Sequence, residues 1–425
     1  MKNKKALTLL LTANAISGFA QGISVISIPW YFTSVLHKNT EFGIIYAIVT
    51  FATLFWSLYA GTLIDKHSRK KIFLSINLIG GIILGSVAFT GWYMGGVQEW
   101  GVVMVFAATL FVFNIHYPAL YAFGQEVTEK EHYGKTNSLL EIQGQATTVI
   151  SGALAAVLLS GTHNQSVNIF GFVIHLPADV QAWSLHRIFA MDAATYFIAA
   201  LLILFIRYQP AVEKIIDTGT IMERIKTGYT FLKEHPLIFI FGNASHAIFV
   251  VLMVESNQVF PMYVDHHLHE DASVYASAEM YYAVGALFAG FAITRIFKHM
   301  HSVKSIILMM FLTVAGCYVC SFTKHAMIFY AFSFLIGITN AGTRILRITY
   351  LFHHIPNHIV GRTSSVFNVV NVLFRTSLIG LFSIPFFVSS NNVIYAYVIC
   401  GTFILLWVVP LISNYKKLKQ LAVEK

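Results

Sequence analysis

Charge is what this sequence has least of. Of its 425 residues, 11% are Asp, Glu, Lys or Arg and 56% are hydrophobic. A soluble domain carries about 25% charged residues. With a mean hydropathy of +0.68, a water-solvated globular enzyme built on one core is excluded, and lipid has to be the solvent for most of the surface. Cysteine is scarce as well. Cys317, Cys320 and Cys400 all fall in apolar runs, and Cys317-x-x-Cys320 lacks the βαβ surroundings of a redox motif, so the three read as helix-packing residues. The sequence has no G-x-x-x-x-G-K-[ST] run, no nucleophile-elbow or metalloprotease pattern, and no extramembrane stretch large enough for a nucleotide-binding domain. That points away from an enzyme and from a nucleotide-driven pump. No cofactor and no resident metal is expected.

What is abundant is apolar sequence in runs of spanning length, about 20 residues each. They lie near 6–36, 41–64, 72–95, 99–124, 136–160, 187–207, 236–264, 273–296, 304–322, 326–350, 361–388 and 392–413. The first run is too long for a cleaved signal peptide and is read as the first span. The expected fold is therefore an all-α polytopic membrane protein of twelve transmembrane helices. The formal charge of +9 would suggest nucleic acid in a soluble protein. Here the positive-inside bias accounts for it, and no nucleic-acid partner is expected. With the N-terminus in the cytoplasm, Lys38, Arg187 and Lys324 are the basic residues placed outside, and Arg344, Arg347 and Arg375 lie within spans. The remaining Lys and Arg fall inside, which sets both termini in the cytoplasm.

The longest inner connection, 208–235, separates an N-terminal six-helix bundle (1–207) from a C-terminal one (236–425). Its stretch from Ile221 to Leu232 has the apolar spacing of an amphipathic helix lying along the inner surface. The longest outer loop, 161–186, includes Ile169-Phe170-Gly171-Phe172-Val173-Ile174 and has no assignable structure from its pattern. Two matches relate the halves. Gly134-Lys135-Thr136-Asn137-Ser138 opens helix 5 and Gly361-Arg362-Thr363-Ser364-Ser365 opens helix 11, 227 residues on. Pro29-Trp30-Tyr31 near the end of helix 1 is answered by Pro261-Met262-Tyr263 in helix 7. Such a parallel repeat implies a substrate site between two pseudo-symmetric halves.

Between helices 2 and 3 stands the charged hairpin Gly61-Thr62-Leu63-Ile64-Asp65-Lys66-His67-Ser68-Arg69-Lys70-Lys71. Gly61 is expected to let two helices approach closely, Asp65 to face the positive end of a neighbouring helix, and Arg69 and Lys70 to hold the loop inside. The pattern G-x-L-x-D-x-x-x-R-K resembles the conformational-switch loop of the major facilitator superfamily, with Ser68 where that family usually has glycine. The series Pro118-Ala119-Leu120-Tyr121-Ala122, Phe189-Ala190-Met191-Asp192-Ala193 and Ile355-Pro356-Asn357 through Gly361-Arg362 is similar to the macrolide-efflux and enterobactin-exporter branch. That resemblance implies a major facilitator fold and export of drugs or siderophores driven by protons. The chain departs from the pattern in two places. The run Ser151-Gly152-Ala153-Leu154-Ala155-Ala156 keeps small residues but lacks the antiporter proline, and Asn114 and His116 occupy the neighbourhood of the superfamily's helix 4 arginine.

Ionisable groups inside a membrane cost at least ~2.5 kcal/mol at a helix centre, so each needs a cavity or a partner. In helix 5, Glu141 and Gln145 share a face, with Gln143 between them. In helix 11, Asn368, Asn371 and Arg375 form one polar stripe. Substrate binding is assigned to Arg375, Asn371, Asn368, Arg344 and Gln145, with plain interhelical hydrogen bonding as the alternative. An arginine fork suits a carboxylate, although Arg344 and Arg347 could equally snorkel to headgroups. Proton coupling is assigned to Glu141 and His116, and to Asp192, for which a packing role is the competing reading. His246, Glu255 and Glu279 are weaker candidates. Asp265-His266-His267-Leu268-His269-Glu270-Asp271 is dense in metal-ligating types, but its spacing specifies no closed site, and a solvated polar loop is expected.

Together these residues point to a monomeric secondary transporter in a bacterial cytoplasmic membrane. It would export a small amphiphilic, plausibly anionic molecule, such as a siderophore or drug-like compound, against protons by alternating access. An importer of a ferric siderophore or other nutrient, and a non-transporting sensor of the same fold, stay open as alternatives.

Overall fold

The computed structural model describes residues 3–208, 221–356, 359–388 and 391–421; the side chains of Leu58, Thr62, Asp65, Lys130, Ile221 and Thr294 also lie outside the description. Among the described residues, twelve helices are long and apolar enough to cross a membrane. They are α1 (Lys4–Trp30), α2 (Asn39–Lys66), α3 (Arg69–Tyr93), α4 (Glu99–Glu126), α5 (Tyr133–Ser160) and α6 (Leu185–Leu204). After them come α7 (Pro236–Leu268, interrupted), α8 (Ala272–Ile296), α9 (Ser302–Phe322), α10 (Ala326–His354), α11 (Val360–Phe382) and α12 (Ile394–Ser413). Polar residues set the starts. Asn3 accepts from the Ala6 amide at 3.0 Å and Asp271 from the Ser273 amide at 2.8 Å, satisfying amides that the first turn leaves open.

The helices group into two compact units. One comprises Met1–Tyr31 and Ala52–Thr218; the other comprises Phe32–Phe51 and Gly219–Lys425. In the first, Ala6, Leu10 and Ala13 of α1 meet Phe73 of α3, Phe123 of α4 and Ala199 of α6 in one buried cluster. Small residues set its closest seam. A Cβ on Gly22 would stand 2.6 Å from the Ser151 hydroxyl, and that hydroxyl donates to the Phe19 carbonyl at 2.8 Å. The small-residue run of α5 therefore does permit close contact. The outward surface stays apolar, with Phe89, Trp92 and Phe205 exposed, as a lipid solvent requires.

The loop left unassigned by its sequence is a β-hairpin. β1 (Ser166–Ile169) pairs antiparallel with β2 (Phe172–His175), Val167 opposite Ile174. The two turn residues, Phe170 at φ 57° and Gly171 at φ 79°, have the left-handed pair that a tight hairpin turn demands. Asp179 closes the base, accepting from the Gln165 amide at 2.7 Å and the Thr162 hydroxyl at 3.0 Å.

In the second unit, the helix expected along the inner connection is Ile221–Glu234. Residues 209–220 of that connection lie outside the description. Gly228 brings this helix against the start of α11; a Cβ there would fall 2.3 Å from the Arg362 carbonyl oxygen. Gly134 and Gly361 are each the second residue of their helices, α5 and α11, consistent with the internal repeat. α7 is broken at Ser245–His246 and twice widened into π turns, Glu255–Val259 and Val264–Leu268. The terminal helix Tyr415–Gln420 is tied down by the Tyr350 hydroxyl, which donates to the Leu418 carbonyl at 2.8 Å. Beside it, partial burial and the nearby Lys419 and His354 lower the pKa of His301.

Two readings need correction here. The Asp265–Asp271 stretch is a solvated polar loop only from His269 on: residues 265–268 finish α7 in a π turn, and His267 is buried with its ring against the Thr323 carbonyl, 2.6 Å away, and the Asn391 amide. α11 stops at Phe382, and Pro385–Val388 is a separate short turn, because proline cannot extend the hydrogen-bond ladder.

Candidate functional site

The charged hairpin of the first unit is held by its basic residues. Ser68 caps α3. Lys70 reaches across to the end of α6, where its ammonium donates to the Leu204 and Ile206 carbonyls at 2.8 Å each. A cation there offsets the negative end of the helix. Arg69, 3% exposed, lies with Nε 3.5 Å from Glu126 Oε1 at the end of α4. Glu126 went unnoticed in the sequence; an acid closing an apolar run beside a basic loop was the available signal. Gly61 does not serve as expected: a Cβ on it would meet no atom within 4 Å, so close helix approach is not its reason. The side chain of Asp65 lies outside the described residues.

Removing one partner of a buried ion pair costs more than the pair is worth, because the other charge stays buried. Arg69→Ala should therefore lower stability by about 3 kcal/mol, and adding Glu126→Gln should recover part of the loss. Thermal unfolding of the two variants in detergent checks this; equal midpoints would mean that the pair is not coupled.

Further into the same unit, α5 carries the polar face read from its spacing. The Tyr121 hydroxyl donates to Glu141 Oε2 at 2.9 Å, and the Gln145 amide donates to Oε1 at 3.2 Å. Gln143 points elsewhere, with both polar atoms buried and without hydrogen-bond partners. His116 is not brought to Glu141. Its Nε2 lies 2.8 Å from Asn14 Oδ1, and its ring lies against Phe73. Asn114 bonds back to the Leu110 carbonyl. Asp192, 1% exposed, accepts from the Ser24 hydroxyl at 2.6 Å with Oδ2, while Oδ1 has no partner. It sits in the seam between α1 and α6.

The second unit holds the arginines. Arg347 is structural: Nη1 donates at 2.9 Å to the carbonyl of Ser245, one of the groups freed where α7 breaks. Arg344 lies exposed one turn away. Arg375 differs from both. Its guanidinium carbon stands 5.9 Å from the Phe249 ring centroid of α7, a cation–π distance. Its Nε is buried without a hydrogen-bond partner, as are Oδ1 of Asn371 and Oγ1 of Thr376 on the same helix. Among the described residues no carboxylate pairs with Arg375. Asn371 is buried and Asn368 half-buried along the same stripe. Elsewhere in the unit, Glu255 is fully buried and accepts from the Cys317 thiol at 3.8 Å. All three cysteines are buried free thiols.

The arrangement in the second unit can therefore receive an anion: a fork of N–H donors beside an aromatic face, with the Thr376 hydroxyl on the same helix free to donate. In the first unit a carboxylate accepts from two neutral donors, the Tyr121 hydroxyl and the Gln145 amide.

Comparisons with known proteins place these observations. The sequence pattern of the Major Facilitator Superfamily matches residues 10–377. Macrolide efflux protein A of Enterococcus faecalis is 24% identical over 235 residues, which is 54% of this chain and 64% of that protein. Macrolide efflux protein A of Streptococcus pyogenes is 23% identical over 235 residues, 51% of its length. The aligned part thus spans between half and two thirds of these relatives. Among solved structures, the nucleoside transporter NupG superposes with a TM-score of 0.69 at 11% identity, covering 96% of this chain and 99% of that one. The POT family transporter PepTSo gives 0.69 at 12%, covering 99% and 100%. A bacterial metal transporter gives 0.66 at 13%, covering 97% and 99%. At such identities the likeness is one of fold.

Proposed function

The chain belongs to the Major Facilitator Superfamily, and from that premise we propose that this multi-pass membrane transporter is a proton-coupled exporter of a small amphiphilic anion, working by alternating access. The single observation that carries the substrate class is Arg375, a buried-Nε guanidinium without a carboxylate partner among the described residues. A charge left unpaired in a membrane is costly, and a transported carboxylate repays that cost each cycle. Asn371 and Asn368 supply neutral hydrogen bonds beside it, and Arg344 adds positive potential. An acidic drug-like compound or a siderophore fits this better than a basic macrolide, which would meet Arg375 as a like charge.

Export is supported by the likeness to macrolide efflux proteins. The halves that move are taken as residues 1–207 and 236–425, with 208–235 as a cytoplasmic linker, both termini in the cytoplasm and the protein monomeric in a bacterial inner membrane. Asp65, Arg69 and Lys70 form the switch loop. Proton coupling is assigned to Glu141, with Gln145 orienting its carboxylate. His116 and Asp192 are secondary: one is engaged by Asn14, the other by Ser24.

The test is flux in proteoliposomes carrying a trapped pH indicator, challenged with a panel of amphiphilic acids and with basic macrolides. Acids are expected to move protons outward-for-inward with export, and macrolides are not. Glu141→Gln should reduce proton-driven accumulation at least tenfold while leaving substrate counterflow intact. Uphill transport by Glu141→Gln at the wild-type rate would remove Glu141 from the coupling, and proton movement with macrolides alone would remove the anion.

A further inference from the structure

Spans 1 and 7 end alike. Pro29 and Pro261 each lead into a five-residue π turn, Tyr31–Val35 and Val264–Leu268. At the same distance past each proline stands a histidine with left-handed backbone, His37 at φ 53° and His269 at φ 56°. Left-handed backbone is uncommon for a residue with a Cβ, and histidine is among the types that adopt it most readily. Both belong to the second unit, because Phe32–Phe51 is part of it.

His266 completes the group. Its Nε2 lies 3.4 Å from Asp265 Oδ2 and 3.5 Å from the Asn39 side-chain amide. Asn39 is itself fixed by the Thr33 hydroxyl, which donates to its Oδ1 at 2.7 Å. The other ring nitrogen of His266, Nδ1, is buried with no hydrogen-bond partner. His269 follows in the same turn and His37 stands two residues before Asn39, so both flank this ring, and the ligating atoms have still to draw within 4.8 Å of one another to hold an ion. An imidazole with a carboxylate on one nitrogen and the other left open is the arrangement found when a histidine ligates a metal. His267 next door is different, since both of its nitrogens are engaged by Thr323 and Asn391.

We propose that His37, His266 and His269, with Asp265 orienting the central ring, bind a divalent transition-metal ion between the segment that follows α1 and the turn that ends α7. Imidazole nitrogen and carboxylate suit zinc, cobalt, nickel or copper rather than calcium or magnesium. His37 and His269 are exposed, so their rings turn to close on the ion at little cost. Nearby charge favours a cation: Asp265 lies against the His266 ring, Glu270 follows in the same turn, and Asp271 is engaged in capping α8. The ion would clip the segment around His37 to the turn after α7. This inference stands whether or not the transported molecule is an acid.

The test is a titration of the full chain, freed of any affinity tag and stripped with chelator, with cobalt and then zinc in detergent. Visible absorption of cobalt reports nitrogen ligation. The wild type is expected to take up one equivalent with micromolar affinity, and zinc should raise its unfolding temperature. His37→Asn and His269→Asn keep a side chain that tolerates left-handed backbone, and each should weaken binding at least tenfold while the metal-free unfolding temperature stays at the wild-type value. Asp265→Asn should weaken it about tenfold, as loss of an outer-shell partner does. His175→Ala in the hairpin is the control and should change nothing. Should His266→Ala fail to fold, the two Asn variants still decide. Cobalt uptake unchanged in both Asn variants, or no uptake by the wild type above that of the double Asn variant, overturns the proposal.

Discussion

Gly337→Ala should leave almost no folded protein. α8 and α10 cross with their backbones in contact, and the contact is reciprocal. A Cβ on Gly337 would stand 2.2 Å from the Tyr282 carbonyl oxygen, and one on Gly285 would stand 2.1 Å from the Phe334 carbonyl oxygen. Neither obstacle is the end of a flexible side chain. To admit one methyl group, two helices have to separate by more than an ångström over a seam lined by Ala286, Ala289 and Ala341. Inserting a methylene into a packed core costs about 1–3 kcal/mol, and a rigid backbone obstacle puts this case at the upper end or beyond. Lost close packing is not recovered by a hydrophobic effect in lipid, where helices associate through packing itself. Gly285→Ala should behave the same way. Gly290→Ala and Gly380→Ala are the controls, because a Cβ at either meets nothing within 4 Å. Size-exclusion profiles of detergent extracts separate the cases, and a monodisperse Gly337→Ala peak of wild-type height would show that the crossing yields more easily than its geometry implies.

The second large effect is functional. Arg375→Ala should raise the apparent KM for an anionic substrate about 10- to 100-fold, since a hydrogen bond to a charged group is worth about 1.5–3 kcal/mol and tenfold in affinity is 1.4 kcal/mol. Arg375→Lys should recover part of this at most, because an ammonium keeps the charge but loses the fork. Stability should move the opposite way. The guanidinium Nε is buried without a partner, so Arg375→Met should raise the unfolding temperature of the substrate-free protein while abolishing recognition. A residue retained for packing would do the reverse. If Arg375→Met melts lower than wild type, the guanidinium has a structural partner and the anion reading fails with it.

Much of the architecture was legible because bilayer thickness and backbone satisfaction act on the whole chain at once. The twelve runs of apolar residues correspond to twelve helices, and the match between Pro29 and Pro261 foreshadowed two helix ends of the same build. The polar stripes of α5 and α11 followed from helical spacing alone, and Glu141 does meet Gln145. What spacing could not give were contacts made across the chain. The Glu126 partner of Arg69 and the Ser245 carbonyl under Arg347 lie 57 and 102 residues away, where local periodicity carries no information. The break in α7 is invisible for a related reason: an apolar run reads the same whether its ladder is continuous or interrupted, and the residue that repairs it belongs to α10. Gly61 shows the opposite error. Glycine in a charged loop suggested close approach, whereas the open space around it requires none.

The hairpin of Ser166–Ile169 and Phe172–His175 makes the molecule practical to image. Its pairing fixes its register, Asp179 anchors its base, and the strand Phe172–His175 is exposed along its length. A rigid antibody epitope or a small fiducial domain grafted in place of Phe170-Gly171 would inherit a fixed orientation from the two strands. A featureless membrane particle of 47.5 kDa would then carry an alignment marker.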